Sequence, residues 1–223
     1  MVDLKGVPEC TELGESGGEL RIGAACSLAE LGEARPWPLL AAAADRVADH
    51  ISRCRITFGG NVARRIRYRE AALPLLVSGT RAVIASPDGA LREEPFADVF
   101  DGALGLADGE FLVQVRLPRS EANLPFFALK RTRLDWIDYP LLSVVAVRRE
   151  GRIRVAFSGL CADPFRSPAL EEPLSDPGVP EGERIAEATR RLRGPVLEDM
   201  HGSADYRRFL LQGTLRDALH ALA

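Results

Sequence analysis

Cysteine, histidine and the larger aromatics are scarce in this chain: four Cys, three His, two Trp and three Tyr in 223 residues. The cysteines are Cys10, Cys26, Cys54 and Cys161, and none is paired as C-x-x-C. That spacing gives no sign of a zinc ribbon or an iron–sulfur cluster held by this chain. Scattered thiols of this kind are expected as small core residues. His50, His201 and His220 show no metal-ligand spacing, so no metal ligand is assigned, and no catalytic acid or base stands out. No apolar run is long enough to span a bilayer. The first residues, Met1-Val2-Asp3-Leu4-Lys5-Gly6, lack the basic, apolar, small-residue order of a secretion signal. A cytoplasmic location is the expectation. An excess of charge is missing too. At −3 the chain has no general attraction to nucleic acid or to a membrane surface. Internal repeats and low-complexity tracts are also absent.

What remains is an ordinary globular composition, 46% hydrophobic and 27% charged, long enough for one large domain or two small ones. Val2-Asp3-Leu4 reads as the end of a strand, followed by turns at Gly6 to Pro8 and at Glu15-Ser16-Gly17-Gly18. Glu19-Leu20-Arg21-Ile22-Gly23-Ala24 alternates polar and apolar, as a strand does. Ser27-Leu28-Ala29-Glu30 is a capping box that opens a short helix. Residues 38–48 are rich in Ala and Leu and read as a close-packed helix. Residues 70–77 look helical, provided that Pro74 sits near an end. Residues 81–85 and 110–116 read as strands, with a hairpin turn at Pro87-Asp88-Gly89 and a short helix over 95–100. Residues 118–125 are polar and bounded by prolines, which marks a boundary there.

Beyond it, residues 126–131, 141–148 and 152–158 read as three strands, the last two joined by a turn at Glu150-Gly151. A short helix follows over 167–172 and a loop over 173–180. Residues 182–192 and 203–222 are amphipathic helices. The last is expected to break near Gly213, with Thr214 capping a new turn. Strands followed by helices make this half a small α+β layer.

One stretch stands apart: Arg55-Ile56-Thr57-Phe58-Gly59-Gly60-Asn61-Val62-Ala63-Arg64. Two glycines and an Asn allow positive φ and a run of exposed N–H groups that could hold an anion. An ordinary turn uses the same residues. Behind it Arg64, Arg65, Arg67 and Arg69 alternate with Ile66 and Tyr68. This is either a solvated basic edge or a patch for phosphate or an acidic partner.

The phrase Thr57-Phe58-Gly59-Gly60-Asn61-Val62 resembles the Thr-x-Gly-Gly-Asn-hydrophobic motif of the FAD-binding medium subunit of molybdenum hydroxylases, the xanthine dehydrogenase and carbon-monoxide dehydrogenase type. Other stretches resemble that family in the same order. They are Val2-Asp3-Leu4 with Pro8-Glu9, Leu20-Arg21-Ile22-Gly23-Ala24, Phe127 to Lys130, Asp138-Tyr139-Pro140-Leu141, Phe157-Ser158-Gly159, Pro164-Phe165-Arg166-Ser167 and Gly202-Ser203-Ala204-Asp205-Tyr206-Arg207-Arg208-Phe209. The likeness covers essentially the whole chain.

The resemblance implies an α+β fold: an antiparallel sheet with helices, the second half of a flavin domain, over residues 1–120, then a small three-stranded antiparallel sheet with a helical bundle over 121–223. It implies FAD as cofactor, near Thr57, Phe58, Gly59, Gly60 and Asn61. It also implies partners: a molybdopterin-binding large subunit and a 2Fe-2S small subunit. Electrons would pass from the partner's clusters to FAD and on to NAD or another acceptor. The family's Ser-Pro-x-x-Asp element is replaced by Ile66-Arg67-Tyr68-Arg69-Glu70, with Glu70 in place of the Asp. Lys130 matches a family lysine near the flavin, or is a surface lysine on a strand. Trp136 and Tyr139 either stack on a ring or pack in the core or an interface. The family's first βα subdomain, with its Ala-Gly-Gly-Thr loop, has no counterpart here. The expectation is that an upstream segment or a separate chain supplies it, or that the chain binds no FAD and is an assembly subunit. A nucleic-acid module is the weakest reading, since the basic patch is short and the chain acidic.

Overall fold

The computed structural model describes residues 3–63, 67–134 and 137–223. The chain opens with a 3-10 turn, Leu4–Gly6, capped by Asp3, and α1 (Pro8–Thr11), which starts on a proline. This corrects the expected strand end at Asp3-Leu4: an Asp acceptor followed by Pro at the first helical position favours a turn and a helix start. β1 (Leu13–Ser16) and β2 (Glu19–Gly23) form a hairpin around Gly17 and Gly18, both at positive φ. The capping box at Ser27 and Glu30 forms as read and opens α2 (Leu28–Ala34). α3 (Pro38–Ala44), α4 (His50–Arg53), α5 (Phe58–Ala63) and α6 (Ala72–Val77) follow. Pro74 falls in the first turn of α6, where its missing N–H costs nothing.

β3 (Arg81–Ala85), β4 (Leu91–Pro95), α7 (Phe96–Val99) and β5 (Phe111–Pro118) complete the first unit of structure. Its five strands lie in the order β1-β2-β5-β3-β4, every pair antiparallel. β6 (Phe126–Arg131), β7 (Leu142–Arg149), β8 (Arg152–Ser158) and β9 (Phe165–Arg166) form a second antiparallel sheet in sequence order. The three expected strands are present, and the two-residue β9 adds a fourth. Glu150 and Gly151 both take positive φ (53° and 75°), the backbone twist of a tight two-residue hairpin. α8 (Pro168–Leu174), α9 (Glu181–Arg190) and α10 (Ala204–Ala221) end the chain. α10 runs unbroken through Gly213, against the expected interruption. Leu211, Thr214, Leu215, Ala218 and Leu219 are buried on either side of that residue, and their packing outweighs the roughly 1 kcal/mol that a mid-helix glycine costs.

β7 explains how the two sheets are joined. Six of its eight residues, Leu142 to Val147, are buried in succession, a pattern of strands covered on both faces. Val145 and Val147 belong to the cluster that also holds Leu20, Ile22, Leu73 and Val115 of the first sheet and its helices. Leu142, Val144 and Ala146 face the other way, against Leu211, Leu215 and Leu219 of α10. α6 packs on β7 and β8 from the first side.

Two buried charges tie these layers together. Arg207 of α10 has no exposed side-chain surface. It donates to the carbonyls of Leu141 (2.5 Å) and Gly159 (2.7 Å) and to Asp199 (2.7 Å). Glu70, 4% exposed, lies between the sheets and accepts from the Ser143 hydroxyl at 3.5 Å. Burial pushes its carboxyl above the usual range, and Lys130 of β6 partly opposes the rise. Lys130 is itself held below the ordinary lysine value by burial, with Glu70 opposing.

Each charge yields an expected outcome. Arg207→Met strips two carbonyls and Asp199 of their donor, so urea unfolding should show a loss of about 3 kcal/mol or more. Glu70→Gln should change how stability depends on pH. A carboxyl with a raised folded value contributes fully below the unfolded value, about pH 4.3, and loses that contribution as pH rises. Thermal melts from pH 4 to 8 should therefore show wild type losing stability relative to Glu70→Gln as pH increases.

Candidate functional site

α5 is where the structure departs furthest from the sequence reading. Thr57-Phe58-Gly59-Gly60-Asn61 is the start of a helix rather than a loop, and neither glycine takes a positive φ. The expected row of open N–H donors is closed. Phe58 donates to the Cys26 carbonyl (2.7 Å), Gly59 to that of Ala24 (2.8 Å), Gly60 to the Thr57 hydroxyl (3.1 Å) and Asn61 to the Thr57 carbonyl (2.9 Å). Thr57 thus caps the helix. The glycine at 59 is needed for contact: a Cβ there would lie 2.6 Å from Ala24 Cβ and 2.9 Å from its carbonyl oxygen. That approach seats α5 against the end of β2. Asn61 is buried, and its side-chain oxygen accepts from the Ala71 amide at 3.3 Å.

Five of the seven residues singled out by sequence meet at one cleft of about 620 Å³: Thr57, Gly60, Asn61, Glu70 and Lys130. They come from α5, the segment before α6, and β6. Phe58 does not line it; the ring is fully buried in the core. Gly59 faces a second hollow of about 260 Å³ on the other side of the helix. Thr57 and Gly60 border both openings, so the first turn of α5 separates them. Lys130 is no free surface lysine: its ammonium donates to the Arg46 carbonyl at 2.8 Å.

Tyr68 and Tyr139 close one side of the cleft with rings stacked 4.8 Å apart. Tyr139 thus stands at the cleft, whereas Trp136 lies outside the described residues. Val47, Ile56 and Ile137 give the cleft apolar walls. Arg55 lines it too, exposed, and its guanidinium makes no hydrogen bond or ion pair to another described residue. Sequence reasoning missed Arg55 as a site residue. Its signal was position alone, two residues before the Thr57 cap.

Of the arginines behind α5, the two described ones are engaged within the protein. Arg67 pairs with Asp199 at 3.4 Å. Arg69 is 1% exposed, reaches the Gly102 carbonyl and Asp163, and lies over the Phe100 ring at 5.4 Å. Arg64 and Arg65 lie outside the described residues. Among the described residues no group of three or more His, Cys, Asp or Glu could hold a metal ion. Nor is any described helix long and apolar enough to cross a membrane.

Known proteins share this architecture. The medium subunit of nicotine 6-hydroxylase from Paenarthrobacter nicotinovorans is 28% identical over 97% of this chain and 79% of its own length. The medium chain of carbon monoxide dehydrogenase from Hydrogenophaga pseudoflava is 27% identical over 99% of this chain and 80% of its own. The solved structure of carbon monoxide dehydrogenase from H. pseudoflava, in a form lacking the Mo-pyranopterin moiety of its cofactor, superposes with a TM-score of 0.82 at 26% identity. It covers 97% of this chain and 79% of that one. Residues 1–120 match the family described as the FAD binding domain in molybdopterin dehydrogenase, and the chain belongs to that family.

Proposed function

We propose that this chain is the flavin-carrying medium subunit of a molybdenum hydroxylase. In this reading residues 1–120 are its FAD-binding part and 121–223 its C-terminal domain, a division that follows the two sheets. It takes electrons from a 2Fe-2S subunit beside a molybdopterin-binding large subunit and passes them to NAD or another acceptor. The observation that carries the reading is the convergence of Thr57, Gly60, Asn61, Glu70 and Lys130 on one cleft. Its volume, about 620 Å³, lies within the range of cofactor pockets, and apolar walls with a few converging polar groups are what such pockets use.

The residues present fit FAD. Tyr68 and Tyr139 offer aromatic faces to a flat ring system. Arg55 supplies an uncommitted guanidinium, suited to a phosphate by its fork of donors. Gly60 lets a ligand approach the first turn of α5; a Cβ there would point 2.8 Å from the Thr57 hydroxyl. When bound, FAD would supply the redox chemistry, accepting electrons from iron–sulfur clusters and passing them to the acceptor. The protein's part is binding and orientation. Glu70 and Lys130 are held at the base of the cleft by Ser143 and the Arg46 carbonyl, so their charges or protons sit at fixed points.

The test is the visible spectrum of the purified chain, alone and with its partner subunits, after FAD addition and desalting. Retained flavin absorbance is expected. Arg55→Met removes the free charge at the cleft and should weaken FAD binding by about tenfold or more with little change in melting temperature; Gly60→Leu should weaken it as much, and displaces the Thr57 cap besides, so its melting temperature should fall as well. A chain that never retains flavin in either setting, or variants that bind as wild type does, would overturn the reading.

A further inference from the structure

Four arginines meet on one face of the second sheet. Its register sets Arg149 of β7 opposite Arg152 of β8, Val147 opposite Arg154, and Arg166 of β9 opposite Ala156. Partners across strands share a face, as do residues two apart on one strand, so Arg149, Arg152, Arg154 and Arg166 stand together. Like charges set opposite one another destabilise a sheet. Two of the four are neutralised: Arg149 by Glu121 at 2.7 Å, and Arg166 by both oxygens of Glu171, each at 2.7 Å. The guanidiniums of Arg152 and Arg154 make no hydrogen bond or ion pair to another described residue. Arg154 is half-buried. Burial, with Arg149 and Arg166 nearby, holds it below the ordinary arginine value, and Glu171 and Glu150 only partly oppose the fall.

Arg152, Arg154 and Arg166 border a hollow of about 430 Å³ between β8 and α8. Its walls are fixed. The Ser175 hydroxyl accepts from the Ile153 amide (3.0 Å) and donates to the Glu171 carbonyl (2.9 Å), and Glu171 also accepts from the Val155 amide at 2.9 Å. These bonds close the edge of β8, so the hollow offers no row of open donors to another strand. Two of its three carboxylates are matched by cations: Glu171 by Arg166, and Glu172 by Arg191 at 2.6 Å. Asp176, exposed at the rim, accepts from the Gly178 amide at 2.8 Å. Two uncommitted cations therefore face one exposed carboxylate.

We propose that this hollow is a second ligand site, in which Arg152 and Arg154 together hold a phosphate group, free or carried by a small metabolite. A carboxylate has one charge and two oxygens, and a single guanidinium fork serves it, as Arg166 serves Glu171. A phosphate monoester carries roughly 1.5 to 2 negative charges at neutral pH and three terminal oxygens, which suits two forks side by side. The partly desolvated position of Arg154 strengthens its attraction for such an anion. The volume lies within the roughly 300–1,000 Å³ of small-molecule sites and leaves room for an organic group beside Ile153 and Pro168. No residue of the hollow lines the cleft at α5, so the assignment stands apart from the flavin reading.

The experiment titrates ribose 5-phosphate, inorganic phosphate and ribose into the full chain by calorimetry, at about 0.15 M salt so that diffuse surface attraction is screened. Ribose 5-phosphate should bind with one-to-one stoichiometry and ribose should not bind. Arg152→Met and Arg154→Met should each weaken binding by about tenfold or more. Neither substitution removes a side-chain hydrogen bond of the fold, and each removes a like charge from the sheet face. The melting temperature without ligand should therefore hold or rise, while ribose 5-phosphate should raise it in wild type and not in the double variant. Inorganic phosphate binding as tightly as the sugar phosphate supports the site with free phosphate as its ligand; weaker binding supports it with a phosphorylated metabolite. Ribose binding as well as its phosphate, no binding of either phosphate at millimolar concentration, or wild-type affinity in both variants overturns the assignment.

Discussion

A missing side chain at position 59 sets the position of everything around the cleft. α5 reaches the end of β2 closely enough for the Gly59 amide to bond the Ala24 carbonyl and the Phe58 amide to bond that of Cys26. Any Cβ at 59 would overlap the Ala24 backbone, so the helix would have to lift away. Its contacts would move with it: the buried Phe58 ring, the Thr57 cap, and Asn61, which holds the Ala71 amide at the start of α6. α6 in turn packs on β7 and β8 of the second sheet and against α3. A single close approach therefore fixes both the wall of the cleft and the layer beneath it.

The same contact explains why the sequence misled at this point. Gly-Gly-Asn is among the poorest helix-forming triplets, and its local preference is a turn with open donors. Tertiary packing chose a helix, and the donors that a turn would have exposed are used inside the protein. Features governed by neighbours in sequence were legible: the Ser27–Glu30 capping box, the Glu150-Gly151 hairpin, the alternation of β2 and the central strands of both sheets. β1 and β4 were not. Both are short edge strands with mostly half-exposed residues, and neither carries a clear period. Gly213 failed for the reason Gly59 did, since packing on both sides of α10 overrode a local preference.

The candidate site was partly legible because the family resemblance supplied a pattern that physics then sorted. Asn61, Glu70 and Lys130 lie on separate segments, and only folding shows that they share a cleft. Phe58 sits inside the same motif, yet its job is core packing. The arginines illustrate the opposite error. A run of like charges in sequence suggests a surface patch, but Arg69 is turned inward over Phe100 and Arg67 is matched by an aspartate 132 residues away. Arg55, at the head of the Gly-Gly-Asn stretch but given no role there, is the guanidinium left open at the cleft.

Glu70 and Lys130 sit where the cleft meets the seam between the sheets, and that location ties cofactor binding to stability. Both are partly desolvated titratable groups, and each pulls the other back toward its charged form. Their hydrogen bonds go to Ser143 of β7 and to the Arg46 carbonyl just beyond α3, elements that belong to the two packed layers. A ligand entering the cleft changes the solvation of both groups, and so changes how strongly the layers are held together. Conversely, any shift of α3 against β6 moves the Arg46 carbonyl relative to Lys130 and alters the charge that a ligand there would meet. A ligand held at this cleft would therefore be coupled to the packing around it through Glu70 and Lys130, whose hydrogen bonds reach β7 and the segment after α3.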